Sequence, residues 1–232
     1  MYLLMLIEQL EAAGITVFYA NTDGITCKMS KDKKDKFYEI CNNFRDYVDI
    51  PLEYADYKKC VIRDVNNFSI QTTDGKVKEK GVFVRDKDVV STFLTPNYTC
   101  SYNKPIVSEA LYQYFVNNKP IKDTITNHYD IYDFCAAQKI GGQFTAEHHK
   151  LVNNELVIEP CQKTNRYYVS NTQSKFYKKK ADGSLHDLCA GYNVEIFNDF
   201  HKEVDYKINY RYYISVTQKI IDVLEPKQLK LF

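Results

Sequence analysis

Residues 15–29 read Ile-Thr-Val-Phe-Tyr-Ala-Asn-Thr-Asp-Gly-Ile-Thr-Cys-Lys-Met. Two short runs of β-branched and aromatic residues, 15–19 and 25–29, flank a polar segment that ends in Asp23 and Gly24. This pattern predicts a β-hairpin with a carboxylate at its tip. An aspartate on a rigid hairpin can hold a magnesium ion for phosphoryl transfer, but two-metal chemistry needs at least two carboxylates and this tip offers one. An ordinary turn is the alternative, because Asn, Asp and Gly are common in turns.

The composition predicts a globular protein of a reducing compartment. The chain has 232 residues, 44% of them hydrophobic and 26% charged, which suffices for one large or two small domains. The net charge is only +1, so any nucleic-acid binding must come from local patches. Seven cysteines without CxxC spacing indicate free thiols, and the histidines are not spaced for zinc. With no apolar run of about 20 residues, we expect a cytoplasmic protein without a membrane span.

The periodicity around the hairpin predicts an α+β fold. Helical spacing of apolar residues covers 2–13 and 31–48, and Ser30 is a candidate N-cap for the second helix. Runs typical of β-strands follow at 52–54, 60–63, 67–72 and 77–84, with Asp74 and Gly75 as a turn. The first part of the chain therefore reads as an antiparallel sheet with two helices.

The pattern changes after Arg85. It predicts helices at 105–118, 121–127, 130–138 and 205–224, and alternating β-type residues over 143–197. His148 and His149 are expected in a surface loop without a role. We place domains at 1–85 and 86–225, the second mostly helical with a small β-subdomain, followed by a tail at 226–232.

Two basic sets are candidate contacts for DNA phosphates. The first, on consecutive predicted strands, comprises Lys58, Lys59, Arg63, Lys76, Lys78 and Lys80, and the period of two places Lys78 and Lys80 on one strand face. The second comprises Lys163, Arg166, Tyr167, Tyr168, Lys175, Lys178, Lys179 and Lys180. The alternative for both sets is a solvated surface, because acidic residues interleave with the first and lysines often line hairpin rims.

The hairpin tip resembles the third catalytic motif of family B DNA polymerases, Tyr-x-Asp-Thr-Asp-Ser on a palm hairpin. Tyr19, Thr22 and Asp23 match this pattern, whereas Asn21 and Gly24 depart from it. In that family the second aspartate binds both metals, and its counterpart is Asp23. The resemblance implies Mg²⁺ as cofactor, Asp23 as its ligand, Asn21 as the other catalytic position, and Tyr19 and Thr22 beside the DNA.

Later segments extend the resemblance. Residues 63–68 and 78–83 resemble the palm strands of phage-type family B enzymes, where a Lys-x-Tyr pair usually grips the primer end. Asn66 and Phe68 stand at those two positions, with Asn67 between them. Residues 106–134 and 162–168 resemble the thumb of crAss-like phage polymerases. This implies that Lys163, Arg166 and Tyr167 follow the minor groove of the product duplex.

The family's first aspartate motif, nucleotide-binding helix and proofreading exonuclease precede this hairpin, and only 22 residues precede Asp23 here. We therefore expect the palm and thumb of a DNA-directed DNA polymerase of viral replication. It would need an N-terminal segment or partner chain to act on primer–template and deoxynucleoside triphosphates. The alternatives are a non-catalytic DNA-binding or clamp-tethering module derived from such an enzyme, and an unrelated protein-interaction domain.

The chain ends in Gln228-Leu229-Lys230-Leu231-Phe232. This sequence is similar to the peptide with which bacterial polymerases dock on the sliding clamp. There Leu231 and Phe232 would fill an apolar pocket, while Gln228 and Leu229 would complete the bound strand. The alternative is an apolar chain end packed on its own domain.

Overall fold

The computed structural model describes residues 2–85, 104–198 and 205–225. Within these ranges, five α-helices and twelve strands in four antiparallel sheets confirm the α+β class. The chain divides into two compact units, Met1–Tyr57 and Lys58–Phe232. This division falls earlier along the chain than the predicted boundary at 85–104, so the strands after Tyr57 belong to the second unit.

The first unit consists of two helices and the predicted hairpin. Its elements are α1 (Tyr2–Ala12), β1 (Thr16–Ala20), β2 (Ile25–Lys28), a 3₁₀ turn (Lys31–Lys33) and α2 (Lys34–Val48). Both helices and the hairpin are confirmed. Ser30 precedes the 3₁₀ turn, but its side chain makes no capping hydrogen bond. Residues 52–54, predicted as a strand, form no strand.

The apolar faces of both helices and the hairpin form the core of the first unit. Its buried members are Leu6, Leu10, Ile15, Ile40, Cys41 and Phe44. Helix α1 is followed by a turn that ends at Gly14, whose φ of 70° is readily adopted by glycine. The Lys33 ammonium donates to the carbonyls of Ala13 at 3.2 Å and Gly14 at 2.8 Å. Lys33 thereby satisfies two carbonyls beyond the last turn of the helix.

The second unit combines three sheets with three helices. Its helices are α3 (Pro105–Asn117), α4 (Ile121–Thr126) and α5 (Tyr210–Leu224). Its strands are β3 (Tyr57–Asp64, starting at the last residue of the first unit), β4 (Asn67–Thr72), β5 (Val77–Lys80), β6 (Ala136–Lys139), β7 (Thr145–Val152), β8 (Glu155–Cys161), β9 (Thr164–Val169), β10 (Lys175–Lys179), β11 (Leu185–Asp187) and β12 (Val194–Ile196). The sheet orders are β3-β4-β5, β11-β10-β7-β8 and β12-β9-β6.

Helix α5 is fixed to the sheets through Tyr213, which is fully buried. Its hydroxyl accepts a hydrogen bond from Val169 N and donates one to Phe134 O, both at 2.8 Å. Phe134 and Tyr213 also pack edge to face, with ring centroids 5.1 Å apart. One side chain therefore joins the last helix to β9 and to the segment before β6.

The structure corrects several element predictions. Residues 130–138 form a 3₁₀ turn at Ile131–Phe134 followed by β6, because pairing with β9 outweighs local helical periodicity. The helix predicted from 205 begins only at Tyr210, after Asn209 caps it by accepting from Tyr212 N at 3.1 Å. Strand β5 ends at Lys80, and Gly81–Phe83 forms a 3₁₀ turn.

The β-structure of the second unit is larger than predicted. Residues 136–196 supply seven strands in two sheets, so this region is not a small addition to a mostly helical domain. His148 and His149 lie within β7 rather than in a loop. His148 is buried, with its Nε2 3.3 Å from Val194 O, and burial lowers its pKa.

Candidate functional site

The hairpin that carries the predicted motif contains a β-bulge. Val17 pairs with Cys27 and Ala20 with Ile25, but Tyr19 rather than Phe18 pairs with Thr26. Phe18 is the extra residue, and it shifts the alternation of β1 by one position. Val17, Ile25 and Cys27 pack on the core of the first unit. Tyr19 therefore shares the face of Thr26, away from that core.

The side chain of Asn21 closes the hairpin tip. Its Oδ1 accepts hydrogen bonds from the backbone N–H groups of Asp23 at 2.9 Å and Gly24 at 2.8 Å. The backbone N–H of Asn21 donates to Gly24 O at 2.9 Å. This is the turn-forming use of asparagine, in which the side chain replaces a backbone acceptor. Asn21 therefore has a structural role that the resemblance did not predict.

Asp23 lies exposed at this tip, next to the exposed Thr22. Among the residues that the structure describes, no three His, Cys, Asp or Glu side chains cluster closely enough to hold a metal ion. Mg²⁺ prefers anionic oxygen ligands, and the oxygen of Asn21 already accepts two backbone hydrogen bonds. The tip alone therefore does not fit the predicted two-metal site, because it offers a single carboxylate.

The predicted primer-end residues do not share one environment. Asn67 Nδ2 donates to both carboxylate oxygens of Asp64, at 2.8 and 2.9 Å, and its Oδ1 accepts from Val82 N at 3.0 Å. Hydrogen bonding from Asn67 and the backbone of Asn66 lowers the pKa of Asp64. Phe68 is buried, whereas Asn66 is exposed in the β3–β4 turn. Of these three residues, Asn66 alone presents an exposed side chain.

Lys78 and Lys80 are exposed, as are the other members of the first basic set except Lys59. They lie on β5, an edge of its three-stranded sheet, opposite Ile70 and Phe68. This register confirms that they share one strand face, and both are exposed. The intervening Glu79 forms an ion pair with Arg85 at 2.7 Å, on the other face.

Arg166 and Tyr167 belong to the core of the second unit. They lie on β9, the central strand of its sheet, and both are buried. The Arg166 guanidinium lies 4.8 Å from the centroid of the Tyr132 ring. Tyr167 packs near Phe176, with ring centroids 5.9 Å apart. Their burial leaves little surface with which to contact a duplex.

The lysines of the second set make local contacts. Lys163 Nζ donates to Gly142 O at 3.1 Å and to Phe144 O at 2.5 Å. Lys178 lies 4.6 Å from the centroid of the Phe144 ring, and Lys179 pairs with Glu147 at 2.7 Å. Lys163 and Lys178 thus meet at the loop before β7, while Arg166 and Tyr167 do not join them at the surface.

The structure also contains a histidine–carboxylate pair that the sequence analysis did not identify. His128 Nε2 lies 2.5 Å from Asp133 Oδ2, and this hydrogen bond raises the pKa of the histidine against the opposing effect of burial. The spacing of five residues matches no helical or strand repeat, so pattern reading could not pair these groups. The predicted clamp-binding residues Gln228, Leu229, Leu231 and Phe232 lie outside the described residues.

The fold and site together define an α+β protein with an exposed aspartate at the tip of a bulged hairpin. No protein-family model matches the chain, and no curated protein matches it. In the part of the chain that the structure describes, every helix is too short or too polar to cross a membrane.

Proposed function

We propose that this chain is the palm and thumb part of a family B, DNA-directed DNA polymerase. It would perform magnesium-dependent nucleotidyl transfer in viral DNA replication, in the cytoplasm of the host cell. Primer–template and deoxynucleoside triphosphates would be its substrates. The observation that carries this proposal is the hairpin itself, which presents Asp23 at its tip and packs against α1 and α2 through its apolar face.

Asp23 would contribute one oxygen ligand to the metal site. Bound Mg²⁺ would lower the pKa of the primer hydroxyl and neutralise charge on the phosphates. A second carboxylate must come from outside the hairpin, because position 21 carries an amide that closes the turn. We therefore assign the missing aspartate and the nucleotide site to an N-terminal segment or partner chain.

The accessible lysines support the DNA-binding part of the proposal. Lys78 and Lys80 lie on one exposed face of an edge strand, at the spacing of alternate residues. Ammonium groups arranged in this way can contact phosphates along one strand of a duplex. Asn66, at the β3–β4 turn of the same sheet, offers an exposed amide.

Primer extension tests the proposal. We expect extension only when the chain is combined with an N-terminal polymerase segment or partner chain that supplies the second aspartate, and a loss of at least about 100-fold for Asp23→Ala. Asp182→Ala is the matched control, because Asp182 also precedes a turn glycine but lies in the second unit. Full-rate extension by the chain alone would contradict the need for a second polymerase segment. Equal activity of the Asp23 and Asp182 variants would exclude Asp23 as a metal ligand.

A non-catalytic DNA-binding or clamp-tethering module is the second candidate. The observation that favours it is Asn21, which gives the tip a stable shape with one carboxylate fewer. This candidate predicts salt-dependent binding to primer–template that Lys78→Gln with Lys80→Gln weakens. It also predicts that Asp23→Ala leaves the activity of any partner polymerase unchanged, which distinguishes it from the first candidate.

We further propose that residues Gln228–Phe232 dock on a bacterial sliding clamp. The supporting feature is the sequence Gln-Leu-Lys-Leu-Phe at the chain end. Surface plasmon resonance on immobilised clamp tests this with the full chain and with Leu231→Ala and Phe232→Ala together. Loss of binding in the double variant is expected, and unchanged binding would contradict the proposal.

A further inference from the structure

The β7–β8 hairpin ends in a tight turn and presents β8 as a sheet edge. Asn153 and Asn154 both have positive φ, 54° and 67°, which is the type I′ geometry that joins two strands through two residues. Strand β8 is the last strand in the sheet order β11-β10-β7-β8. Among the described residues, no strand pairs with β8 on the side opposite β7.

The free end of this hairpin is apolar on both faces. Leu151, Leu156 and Ile158 share one face, with exposed fractions of 46, 60 and 51%. Val152 and Val157 lie on the other face and are 48 and 36% exposed. An exposed, apolar edge strand pairs readily with another chain, and proteins normally protect such an edge with charges, bulges or a covering segment.

The register identifies which backbone groups of β8 face outward. In a two-residue hairpin, Val152 and Glu155 form the first hydrogen-bonded pair, so Lys150–Val157 and His148–Glu159 are the next such pairs. The alternate residues Leu156 and Ile158 therefore direct their N–H and C=O groups away from β7. Pro160 has the same outward orientation, which is where an edge strand tolerates a residue without an N–H.

The sequence of β8 disfavours a second copy of this chain as the occupant. The longest antiparallel pairing of β8 with itself, centred on Ile158, places Leu156 opposite Pro160 at both ends, and Pro160 has no N–H to donate. The shorter pairing centred on Val157 places Glu155 opposite Glu159 at both ends. Like charges directly opposite each other destabilise a strand pair. Lys150 pairs with Glu159 at 2.6 Å, but Glu155 has no ion-pair partner among the described residues.

We propose that the edge of β8 binds an extended segment of a partner protein, which adds a fifth strand to this sheet. The segment carries apolar residues opposite Leu156 and Ile158, and a lysine or arginine opposite each of Glu155 and Glu159. Backbone hydrogen bonds to Leu156 and Ile158 supply affinity, and the flanking charges set the choice of partner. This site is independent of the polymerase proposal, because it uses neither the hairpin tip nor the lysines of β5.

Peptide binding to the full chain tests the site. The probe is Gly-Ser-Lys-Ile-Thr-Ile-Lys-Ser-Gly, and its control replaces both lysines with glutamate. We expect the lysine peptide to bind with a dissociation constant on the order of 100 µM and the control at least about tenfold more weakly. In ¹⁵N NMR spectra, the amides of Leu156 and Ile158 should shift on binding and exchange more slowly with solvent. Equal binding of both peptides, or shifts confined to other strands, would overturn the proposal.

Two variants separate edge pairing from general destabilisation. Ile158→Pro removes an outward donor without removing a β7–β8 hydrogen bond, so binding should be lost while the melting temperature stays within a few degrees of wild type. Glu155→Lys with Glu159→Lys should reverse the preference, so that the glutamate peptide binds better. Retained binding by the proline variant, failure of the charge reversal, or dimerisation of the free chain through β8 in sedimentation experiments would each contradict the proposed occupant.

Discussion

Asn21 affects both the shape and the charge of the hairpin tip. Its side-chain oxygen holds the tip together, and its lack of charge leaves Asp23 as the one acid there. Aspartate can accept the same backbone hydrogen bonds, so Asn21→Asp should keep the turn and add the second carboxylate. We expect Mn²⁺, used as a magnesium probe, to bind this variant about tenfold more tightly, measured by paramagnetic broadening of the tip amides.

Asn21→Ala is the matched variant for this prediction. It removes the acceptor of two hydrogen bonds, so we expect about 1–2 kcal/mol of destabilisation in urea unfolding without tighter Mn²⁺ binding. Unchanged Mn²⁺ affinity in Asn21→Asp would show that the tip cannot use a second carboxylate. Unchanged stability of Asn21→Ala would show that the observed turn hydrogen bonds contribute little.

Gly81 is the glycine at which a side chain would be least tolerated. Its φ is 62°, and a Cβ there would lie 2.3 Å from the backbone oxygen of Asn66. Gly81→Ala should therefore destabilise the protein by about 3 kcal/mol, measured by urea unfolding. Gly75→Ala is the control: its φ of 88° carries similar strain, but no atom lies within 4 Å of the added carbon, so about 1 kcal/mol is expected. Equal losses would contradict the proposed clash.

The pair of His128 and Asp133 gives stability a defined pH dependence. Because Asp133 raises the pKa of His128 in the folded state, the protonated histidine stabilises the fold fully below its unfolded pKa. This contribution is lost as the pH rises through the raised folded pKa. Asp133→Asn should therefore cost more stability at about pH 6 than at about pH 8.5 in urea unfolding. A pH-independent difference would contradict this coupling.

At the scale of elements, the end of α1 depends on a lysine from the following 3₁₀ turn. Lys33→Met removes the donor to the carbonyls of Ala13 and Gly14 and should cost about 1 kcal/mol. Lys36→Met is a suitable control, because Lys36 forms an exposed pair with Glu39 and its loss should cost less than about 0.5 kcal/mol. Thermal unfolding of both variants measures the difference, and equal costs would argue against the capping role.

Most elements of the first unit were predictable because their signals are local. The apolar spacing of α1 and α2 and the polar turn at Asp23 each lie within one short window of sequence. The strand β6 was missed because its pairing with β9 is a long-range effect. Arg166 and Tyr167 were wrongly expected at a DNA-facing surface for the same reason. They lie on a central strand, whose two faces are both buried by long-range packing. The contact of Arg166 with Tyr132 cannot be recognised from the sequence, where an arginine suggests a surface position. The closure of the tip by Asn21 was not predicted either, because the resemblance directed attention to its missing charge.

At the scale of the whole molecule, the two compact units have separate apolar cores. Phe44→Ala should destabilise the first unit by about 3–4 kcal/mol, and Phe176→Ala should act similarly on the second. Hydrogen exchange measured by mass spectrometry should therefore show faster exchange in residues 2–48 for Phe44→Ala, without faster exchange in β9 or α5. Uniform acceleration across both units would instead indicate that they unfold as one cooperative body.

The closed tip of the hairpin has a consequence for the history of such a chain. Asparagine and aspartate codons differ by a single nucleotide, and either side chain can complete the turn. A point mutation at position 21 can therefore add or remove a carboxylate at the tip without disrupting the turn. Under the proposed function, catalysis and folding would therefore depend on different properties of this residue, and the change from an enzyme to a binding module would need no intermediate that fails to fold.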